Sequence, residues 1–229
     1  MDAKVTTLDT LRSSLVIWSK CQKVLDWIKN KVDIHTEISK QLLGKDQITK
    51  EERSVSKVVT FASIYGSEGA AVSRALNIPI EEGMGLVEGY NQMFPEIVEL
   101  RNKLVGMCHR TTFTKTICGR LRKLPNIKSN YQRDVEKAER QAFNTAIQAS
   151  CADCFKLAGA KSLKYKNEGV RFVFGVFDSI LLQVPEEMTE ERVLEIVEEL
   201  SDFNDIFPGL KFGYNVAIGH TWKECADQI

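Results

Sequence analysis

Hydrophobic positions recur every three or four residues through the first two-thirds of the chain, and this spacing predicts a series of helices. A helix over 33–43 places Ile34, Ile38 and Leu42 on one side, and Gly44 marks its end. Pro and Gly residues separate it from the helices that follow. The other helices predicted in this part of the chain cover 49–65, 68–76, 80–94, 95–107 and 134–165.

The helix over 49–65 has the clearest boundaries. Thr49 is a favourable N-cap residue, and Glu52 three positions later completes a capping-box pattern. Gly66 follows Tyr65 and stops the helix.

The period changes in the last third of the chain. β-Branched and aromatic residues over 170–184, interrupted at Asp178 and Ser179, predict a β-hairpin. Helices in one block and antiparallel strands in a later block indicate an α+β fold. The remaining predicted elements are a short strand followed by a helix within 8–31, an acidic helix over 190–203 and a last strand over 210–218.

The composition is that of an ordinary globular protein, with 43% hydrophobic and 27% charged residues. No apolar run reaches the roughly 18 residues that a membrane helix needs, and no signal-peptide pattern opens the chain, so we expect no membrane association. The six cysteines lack disulfide-framework spacing, which favours a reducing cytoplasm. Cys151 and Cys154 form a C-x-x-C without a second pair, and we interpret them as structural thiols.

A formal net charge of +0 hides a strong asymmetry along the chain. Residues 100–133 contain nine Lys or Arg and no Asp or Glu, whereas 186–205 contain nine acidic residues opposed only by Arg192. A phosphate backbone would prefer the first segment and avoid the second. Two solvated faces are the alternative interpretation of the same pattern.

The sharpest chemical signal is a set of four residues at spacing four: Arg53, Lys57, Phe61 and Tyr65. Four residues of α-helix advance about 400°, so the set stays on one face while it climbs roughly 18 Å. Two cations suit the oxygens of a triphosphate, and two rings suit stacking against a sugar and a base. This face therefore predicts nucleotide binding.

The segment R-S-V-S-K-V-V-T-F-A-S-I-Y-G resembles the nucleotide-binding helix of the bacterial polymerase I family, or family A DNA polymerases. The resemblance implies that Arg53 and Lys57 hold the incoming triphosphate, with Lys57 also counted as catalytic. It implies that Phe61 packs on the sugar, with discrimination against dideoxy substrates, and that Tyr65 stands at the template side. The segment D-I-H-T resembles a second family motif, which implies that His35 lies near the nucleotide.

The likeness continues almost to the end of the chain and implies contacts with primer–template DNA. G-R-L-R-K-L-P resembles a basic turn of the family, and Gly219 to Trp222 match its C-terminal G-x-x-W. In E-R-Q-A-F-N-T-A-I-Q the polar positions follow one helical face, which suits the acceptors of the minor groove. The residues implied in DNA binding are Arg120, Arg122, Arg140, Asn144 and Gln148.

The segment F-V-F-G-V-F-D-S-I-L-L-Q-V resembles the family's second metal motif, in which Asp178 keeps the key carboxylate. Phe177 and Ser179 replace the usual His and Glu. Transfer of a nucleotidyl group needs two Mg²⁺ ions held by carboxylates from different strands. The first metal motif is degenerate here. An ungapped alignment puts Val5 at its Asp position, about four extra residues would select Asp2, and Asp9 is a third choice.

The resemblance implies three segments: 1–32 as a residual palm strand and helix, 33–133 as a fingers subdomain, and 134–229 as the C-terminal palm. We expect a phage-like fragment or subunit of a template-directed DNA polymerase that uses dNTP. A partner chain would supply the thumb, the rest of the palm and a proofreading domain, so we expect no primer extension by the chain alone. The alternative is a catalytically inactive, polymerase-derived DNA-binding or interaction protein.

Overall fold

The computed structural model describes residues 2–8 by their backbone, and residues 19–30, 32–66, 69–176, 179–206 and 214–226 in full. The chain divides into two compact units. Leu15–Ile147 form a helical unit, and Met1–Ser14 together with Gln148–Ile229 form a unit that contains a β-sheet.

The helical unit is built from short amphipathic helices joined by tight turns. Asp33 and Thr49 cap two of these helices with their side chains, and Gly44 ends one of them in the left-handed conformation. The helices are α1 (Gln22–Lys29), α2 (Ile34–Leu43), α3 (Lys50–Ile64), α4 (Gly69–Leu76), α5 (Ile80–Met93), α6 (Pro95–Thr111) and the first part of α7 (Gln132–Lys161).

Helices α4 and α5 approach closely because glycines lie where they cross. A Cβ atom on Gly83 would lie 2.6 Å from the backbone oxygen of Gly69, and one on Gly69 would lie 2.5 Å from the Cα of Met84. Neither position has room for a larger residue unless the backbone moves.

A two-stranded hairpin, β2 (Phe113–Lys115) with β3 (Leu121–Lys123), packs against α7. The buried hydroxyl of Thr114 donates a hydrogen bond of 2.9 Å to the carbonyl oxygen of Ala142. A 3-10 helix over Pro125–Lys128 continues the chain and buries Ile127 in one cluster with Cys108, Leu124, Ala138 and Ala142. The basic hairpin is thus fixed to α7 through both polar and apolar contacts.

The second unit contains a four-stranded antiparallel sheet in the order β4-β5-β1-β6. Its central strands, β1 and β5, pair with each other and with one outer strand each. The strands are β1 (Asp2–Leu8), β4 (Arg171–Val176), β5 (Ser179–Val184) and β6 (Tyr214–Gly219). The helices are the second part of α7, a 3-10 helix (Ser162–Glu168), α8 (Glu190–Ser201) and α9 (Trp222–Ala226).

Strand β5 is buried on both faces, which explains why its sequence is a nearly continuous apolar run. Ile180 and Leu182 are each 1% exposed. Leu181 points to the other face and packs with Ala217 and Cys225, against which Phe174 also lies. The acidic helix α8 buries one apolar face, as expected of an amphipathic helix, while Leu194 is exposed. The buried apolar residues are Val193, Ile196, Val197 and Leu200.

The predicted α+β fold is confirmed, as are the hairpin at 170–184 and the acidic helix near 190–203. The first strand differs from its prediction, because β1 ends at Leu8 instead of beginning there. Residues 2–8 form a strand because they pair with β5 on one side and β6 on the other. Both partners are distant in the sequence, so local patterns do not reveal them. By contacts, 15–32 and 134–147 group with the helical unit. The predicted subdomain segments 1–32, 33–133 and 134–229 stay a prediction.

All six cysteines lie in the described part of the chain, and no disulfide joins them there. Among the described helices, none combines the length and the apolar character required to cross a bilayer.

Substitution of the two glycines of α5 at 83 and 85 should have opposite effects on stability. Gly83→Ala puts a methyl group against the backbone of α4, so we expect a loss of about 1–3 kcal/mol in the free energy of unfolding. Gly85 has no atom within 4 Å of an added Cβ. Gly85→Ala should therefore gain roughly 0.5–1 kcal/mol from helix propensity alone. Denaturant unfolding of both variants checks this, and equal stabilisation by both would contradict the close crossing.

Candidate functional site

Helix α3 presents a polar and aromatic stripe because its opposite face is buried. The Thr49 hydroxyl accepts from the backbone N–H of Glu52 at 3.2 Å, and the Glu52 carboxylate accepts from the Thr49 N–H at 2.9 Å. This capping box fixes the start of the helix. The buried face comprises Ser56, Val59, Thr60, Ser63 and Ile64.

Arg53, the first residue of the stripe, forms a bidentate ion pair with Asp33. Its Nη2 lies 2.6 Å from Oδ2 of Asp33, and its Nε lies 3.1 Å from the same oxygen and 3.2 Å from Oδ1. The hydrogen bonds from Arg53 hold the pKa of the Asp33 carboxyl well below its usual range. The same pair raises the pKa of Arg53. Both groups are therefore charged at neutral pH, and Arg53 already has an anionic partner.

Lys57, one turn further along, differs from Arg53. Its side chain is exposed. Within the described residues, no carboxylate forms an ion pair with it. Lys57 therefore places a positive charge on the outer face of α3 that no described carboxylate pairs with.

Three rings cluster beyond this lysine. The rings of Phe61 and Tyr65 are stacked, with centroids 6.0 Å apart and an interplanar angle of 11°. The ring of His35, from α2, lies 6.3 Å from that of Phe61. Phe61 remains 39% exposed, so the stripe offers an aromatic face to solvent beside a cation. This combination suits a ligand with a flat apolar part and an anionic part.

Buried hydroxyls lock α2 onto α3 and so place His35 beside Phe61. The Ser56 hydroxyl donates to the carbonyl oxygen of His35 at 2.7 Å. The Ser39 hydroxyl donates to that of Glu52 at 3.0 Å. Serine is small enough for the two helices to approach while each buried hydroxyl keeps a partner.

The C-terminal end of α3 is held by α6 and α7. The Asn144 amide donates to the carbonyl oxygen of Tyr65 at 3.3 Å, and the Arg101 guanidinium donates to that of Ser63. Gly66 has a φ of 66°, and a Cβ atom there would lie 3.0 Å from Cγ of Arg140. Two features therefore favour glycine at position 66: the left-handed backbone conformation and the close approach of Arg140.

Two of the five residues expected to bind DNA, Arg140 and Asn144, lie on α7 next to this end of α3. Gln148 follows them on the same helix and is exposed, just past the unit boundary. The hairpin adds Arg122, whose Nη1 donates to the Thr145 hydroxyl at 2.8 Å. Arg120 lies in the turn before β3, and its N–H donates to Thr116. The structure therefore places the hairpin arginines and the first part of this helical face in one unit.

Asp178, the expected metal ligand, lies outside the described residues, as does Asp9. β4 ends at Val176 and β5 begins at Ser179. Ser179 pairs with Thr7 of β1, whereas Asp2 pairs with Val184. Asp2 and Thr7 are five residues apart, which corresponds to roughly 17 Å of extended strand. The described side chains contain no group of three or more metal ligands.

The fold is that of a nucleic-acid polymerase domain. A solved structure of the POL domain of Pol1 from M. smegmatis, in complex with DNA primer-template and dNTP, matches with a TM-score of 0.89. The match covers 99% of this chain and 41% of that chain, at 23% sequence identity. The sequence model of DNA polymerase family A matches residues 14–224, and the chain belongs to that family. The resemblance seen in the sequence is thereby confirmed.

Relatives in several bacteria agree with this assignment. The thermostable DNA polymerase I of Thermus aquaticus is 30% identical over 194 residues, which are 83% of this chain and 23% of that protein. DNA polymerase I of Helicobacter pylori is 32% identical over 184 residues, which are 77% of this chain and 19% of that protein. The chain thus spans about a quarter or less of these relatives.

Two contacts of the site were not foreseen from the sequence. The sequence indicates Asp33 only as the start of a helix, and its pairing with Arg53, 20 positions away, requires the packing of α2 on α3. It indicates Arg101 only as part of a basic segment. The signal that could have identified Arg101 is its position as a charged residue beside the apolar Leu100 and Leu104 of α6.

Replacement of Asp33 by Asn should isolate the ion pair, because Asn keeps the N-cap acceptor. We expect Asp33→Asn to lower the free energy of unfolding at pH 7 by no more than about 1 kcal/mol, since the pair is partly exposed. The folded-state pKa of Asp33 is depressed, so its contribution is full above the ordinary Asp range and disappears as pH falls through the folded-state value.

Denaturant unfolding at neutral and strongly acidic pH measures this difference. Asp46→Asn, which removes an exposed carboxylate of the same unit, is the control. A loss in Asp33→Asn that stays constant into strong acid would show that the charge of Asp33 is not responsible.

Proposed function

We propose that this chain provides the nucleotide-binding and part of the DNA-binding surface of a template-directed DNA polymerase. The observation that carries this proposal is the outer stripe of α3, where Lys57 has no carboxylate partner among the described residues and Phe61 and Tyr65 stack beside His35. Membership of family A supports it. So does the solved neighbour, which holds DNA primer-template and dNTP.

The two cations of the stripe would act differently on an incoming dNTP. Lys57 would meet the triphosphate as an available point charge. Arg53 would have to share its guanidinium between Asp33 and the phosphate, or exchange one for the other, because its Nε and Nη2 both point to Asp33. Lys57 is therefore the residue on which triphosphate binding depends most, and Arg53 is the residue whose contribution Asp33 moderates.

The rings would receive the rest of the nucleotide. Phe61 would pack on the sugar, Tyr65 would stand at the template side, and His35 would border the same face. A base or sugar that covers the exposed part of Phe61 gains both burial of apolar area and ring stacking. The buried contacts from α2 keep this face in place before a ligand arrives.

Primer–template DNA would contact the basic hairpin and α7. Arg120 and Arg122 would meet phosphates, while Arg140, Asn144 and Gln148 would meet the minor groove and backbone. Arginine and amide groups are suited to both tasks. The hydrogen bond between Arg122 and Thr145 would orient the hairpin relative to this part of α7.

Mg²⁺ would be held by Asp178 with a carboxylate at the Leu8 end of β1. The pairing of Thr7 with Ser179 favours Asp9, the residue that follows β1 in the sequence, over Asp2. When bound, such ions lower the charge barrier to attack on a phosphate and stabilise the leaving oxygens. The two-metal mechanism is a proposal, as are phage origin, an intracellular location and a partner chain that supplies the thumb, the rest of the palm and a proofreading domain.

Lys57→Ala should weaken dNTP binding strongly. It removes one charge-assisted contact of about 1.5–3 kcal/mol, which corresponds to roughly a ten- to hundredfold rise in the dissociation constant for dNTP. Titration of dNTP into the protein bound to a primer–template, with a chain-terminated primer, measures this affinity.

Lys29→Ala removes the same charge from an exposed position on α1 and should leave dNTP affinity unchanged. If Lys57→Ala binds dNTP as tightly as this control, the assignment of α3 is wrong. Tight dNTP and DNA binding without primer extension in any assembly would instead favour an inactive, polymerase-derived binding protein.

Replacement of Arg120 and Arg122 by Ala should reduce affinity for primer–template DNA. Each lost phosphate contact should flatten the dependence of log affinity on log salt concentration by about 0.9. Fluorescence anisotropy over a salt series measures both quantities. Arg74→Ala, an exposed arginine on α4, is the control. A salt slope equal to that of the unmodified protein would assign the hairpin arginines to structure.

A further inference from the structure

Arg101 is a charged residue in an unusual place. It lies on α6 between the buried Leu100 and the exposed Asn102, and its guanidinium reaches into the helical unit. One Nη donates to the carbonyl oxygen of Ser63, in the last turn of α3. The guanidinium carbon lies 5.2 Å from the centre of the Phe143 ring, on α7. A single side chain thus connects α6, α3 and α7.

This placement is costly for the folded protein. Burial lowers the pKa of Arg101, although a guanidinium stays charged at any ordinary pH. Within the described residues, the buried Nε has no hydrogen-bond partner. A long apolar residue would satisfy the packing on Phe143 without this desolvation. What an apolar residue could not supply is the charged donor to Ser63.

The carbonyl that Arg101 meets belongs to a helix end. The last carbonyls of an α-helix lack part of their intrahelical donors and carry the negative end of its dipole. At α3 one of these carbonyls accepts from Arg101 and another, that of Tyr65, accepts from Asn144. Ser63 lies between Phe61 and Tyr65, whose rings form the aromatic part of the stripe.

A cavity of about 350 Å³ lies beside this contact. Gly66, Arg101, Arg140 and Phe143 are among the residues that line it. Residues next to the end of α3 therefore border open space on this side. The directional bond from Arg101 supplies a restraint there.

We propose that Arg101 is a positioning residue that holds the C-terminal turn of α3, and with it Phe61 and Tyr65, in place for nucleotide binding. The inference rests on the nucleotide-binding function proposed above. It assigns no direct ligand contact to Arg101. The arginine acts through the Ser63 carbonyl.

Hydrogen exchange of the full chain tests the contact itself, without any need for activity. Arg101→Met keeps a long apolar stem over Phe143 but removes the donor. The amides of the last turn of α3, over 61–66, should then exchange roughly ten- to hundredfold faster, as expected for loss of one charge-assisted bond. Arg101→Lys restores a cationic donor and should recover part of this protection. Glu99→Met, an exposed position on the same helix, should change nothing at 61–66.

Steady-state primer extension by the assembly that supports it tests the consequence. Arg101→Met should raise KM for dNTP about tenfold while kcat changes less than threefold, with partial recovery in Arg101→Lys. Lys57→Ala in the same assay separates the two proposals. If Lys57→Ala leaves KM unchanged, the nucleotide-binding assignment of α3 fails, and the exchange data still decide whether Arg101 holds its end.

Two results would overturn the inference. Unchanged exchange over 61–66 in Arg101→Met would show that the bond to Ser63 restrains nothing. Faster exchange spread evenly over α2, α3, α6 and α7 would show a general core role, without selective positioning of α3.

Discussion

The helical unit depends on the anchoring of α3 at both of its ends. Its first turn is closed by the capping box of Thr49 and Glu52, and its last carbonyls accept from side chains of α6 and α7. Between these ends, one face is buried and the opposite face is left for chemistry. Lys57 and Phe61 lie on this exposed face, between the two restrained ends.

Two buried hydroxyls of the helical unit, on Ser39 and Ser56, each form a hydrogen bond between α2 and α3. The hydroxyls of Ser39 and Ser56 each satisfy a backbone carbonyl across the α2–α3 contact. These short side chains allow close approach, and both hydroxyls keep a hydrogen-bond partner. The result places His35 beside Phe61 and Asp33 beside Arg53. The contact between α2 and α3 therefore determines both the ring that lies beside Phe61 and the carboxylate that pairs with Arg53.

The sheet unit is organised by a different constraint, which is the antiparallel register of β1. This strand pairs on both sides, and each rung of its pairing with β5 ties a residue near the N-terminus to one more than 170 positions later. In this register Asp2 lies opposite Val184 and Thr7 lies opposite Ser179. A shift of one residue would also reverse the faces of the strand, so such a register is strongly specified.

Much of this protein could be predicted from local patterns. Thr49, Glu52 and Gly66 predict the limits of α3 within a residue, because caps and left-handed turns depend on neighbours in the chain. The spacing of Arg53, Lys57, Phe61 and Tyr65 placed them on one helical face, because the helical period is local too. The hairpin at 170–184 followed from its β-branched and aromatic residues and from the interruption at Asp178 and Ser179.

Tertiary structure alone decided which partners those residues meet. The pairing of Arg53 with Asp33 joins positions 20 apart, and the contact of Arg101 with Ser63 joins positions 38 apart. β1 exists as a strand because β5 and β6 flank it, which no window of neighbouring residues reveals. Local preferences act over a few residues, whereas ion pairs, helix-end contacts and strand register depend on how whole elements pack. The sequence by itself therefore determined where the chemical groups stand on their helix, and the packing determined which of them remains available to a ligand.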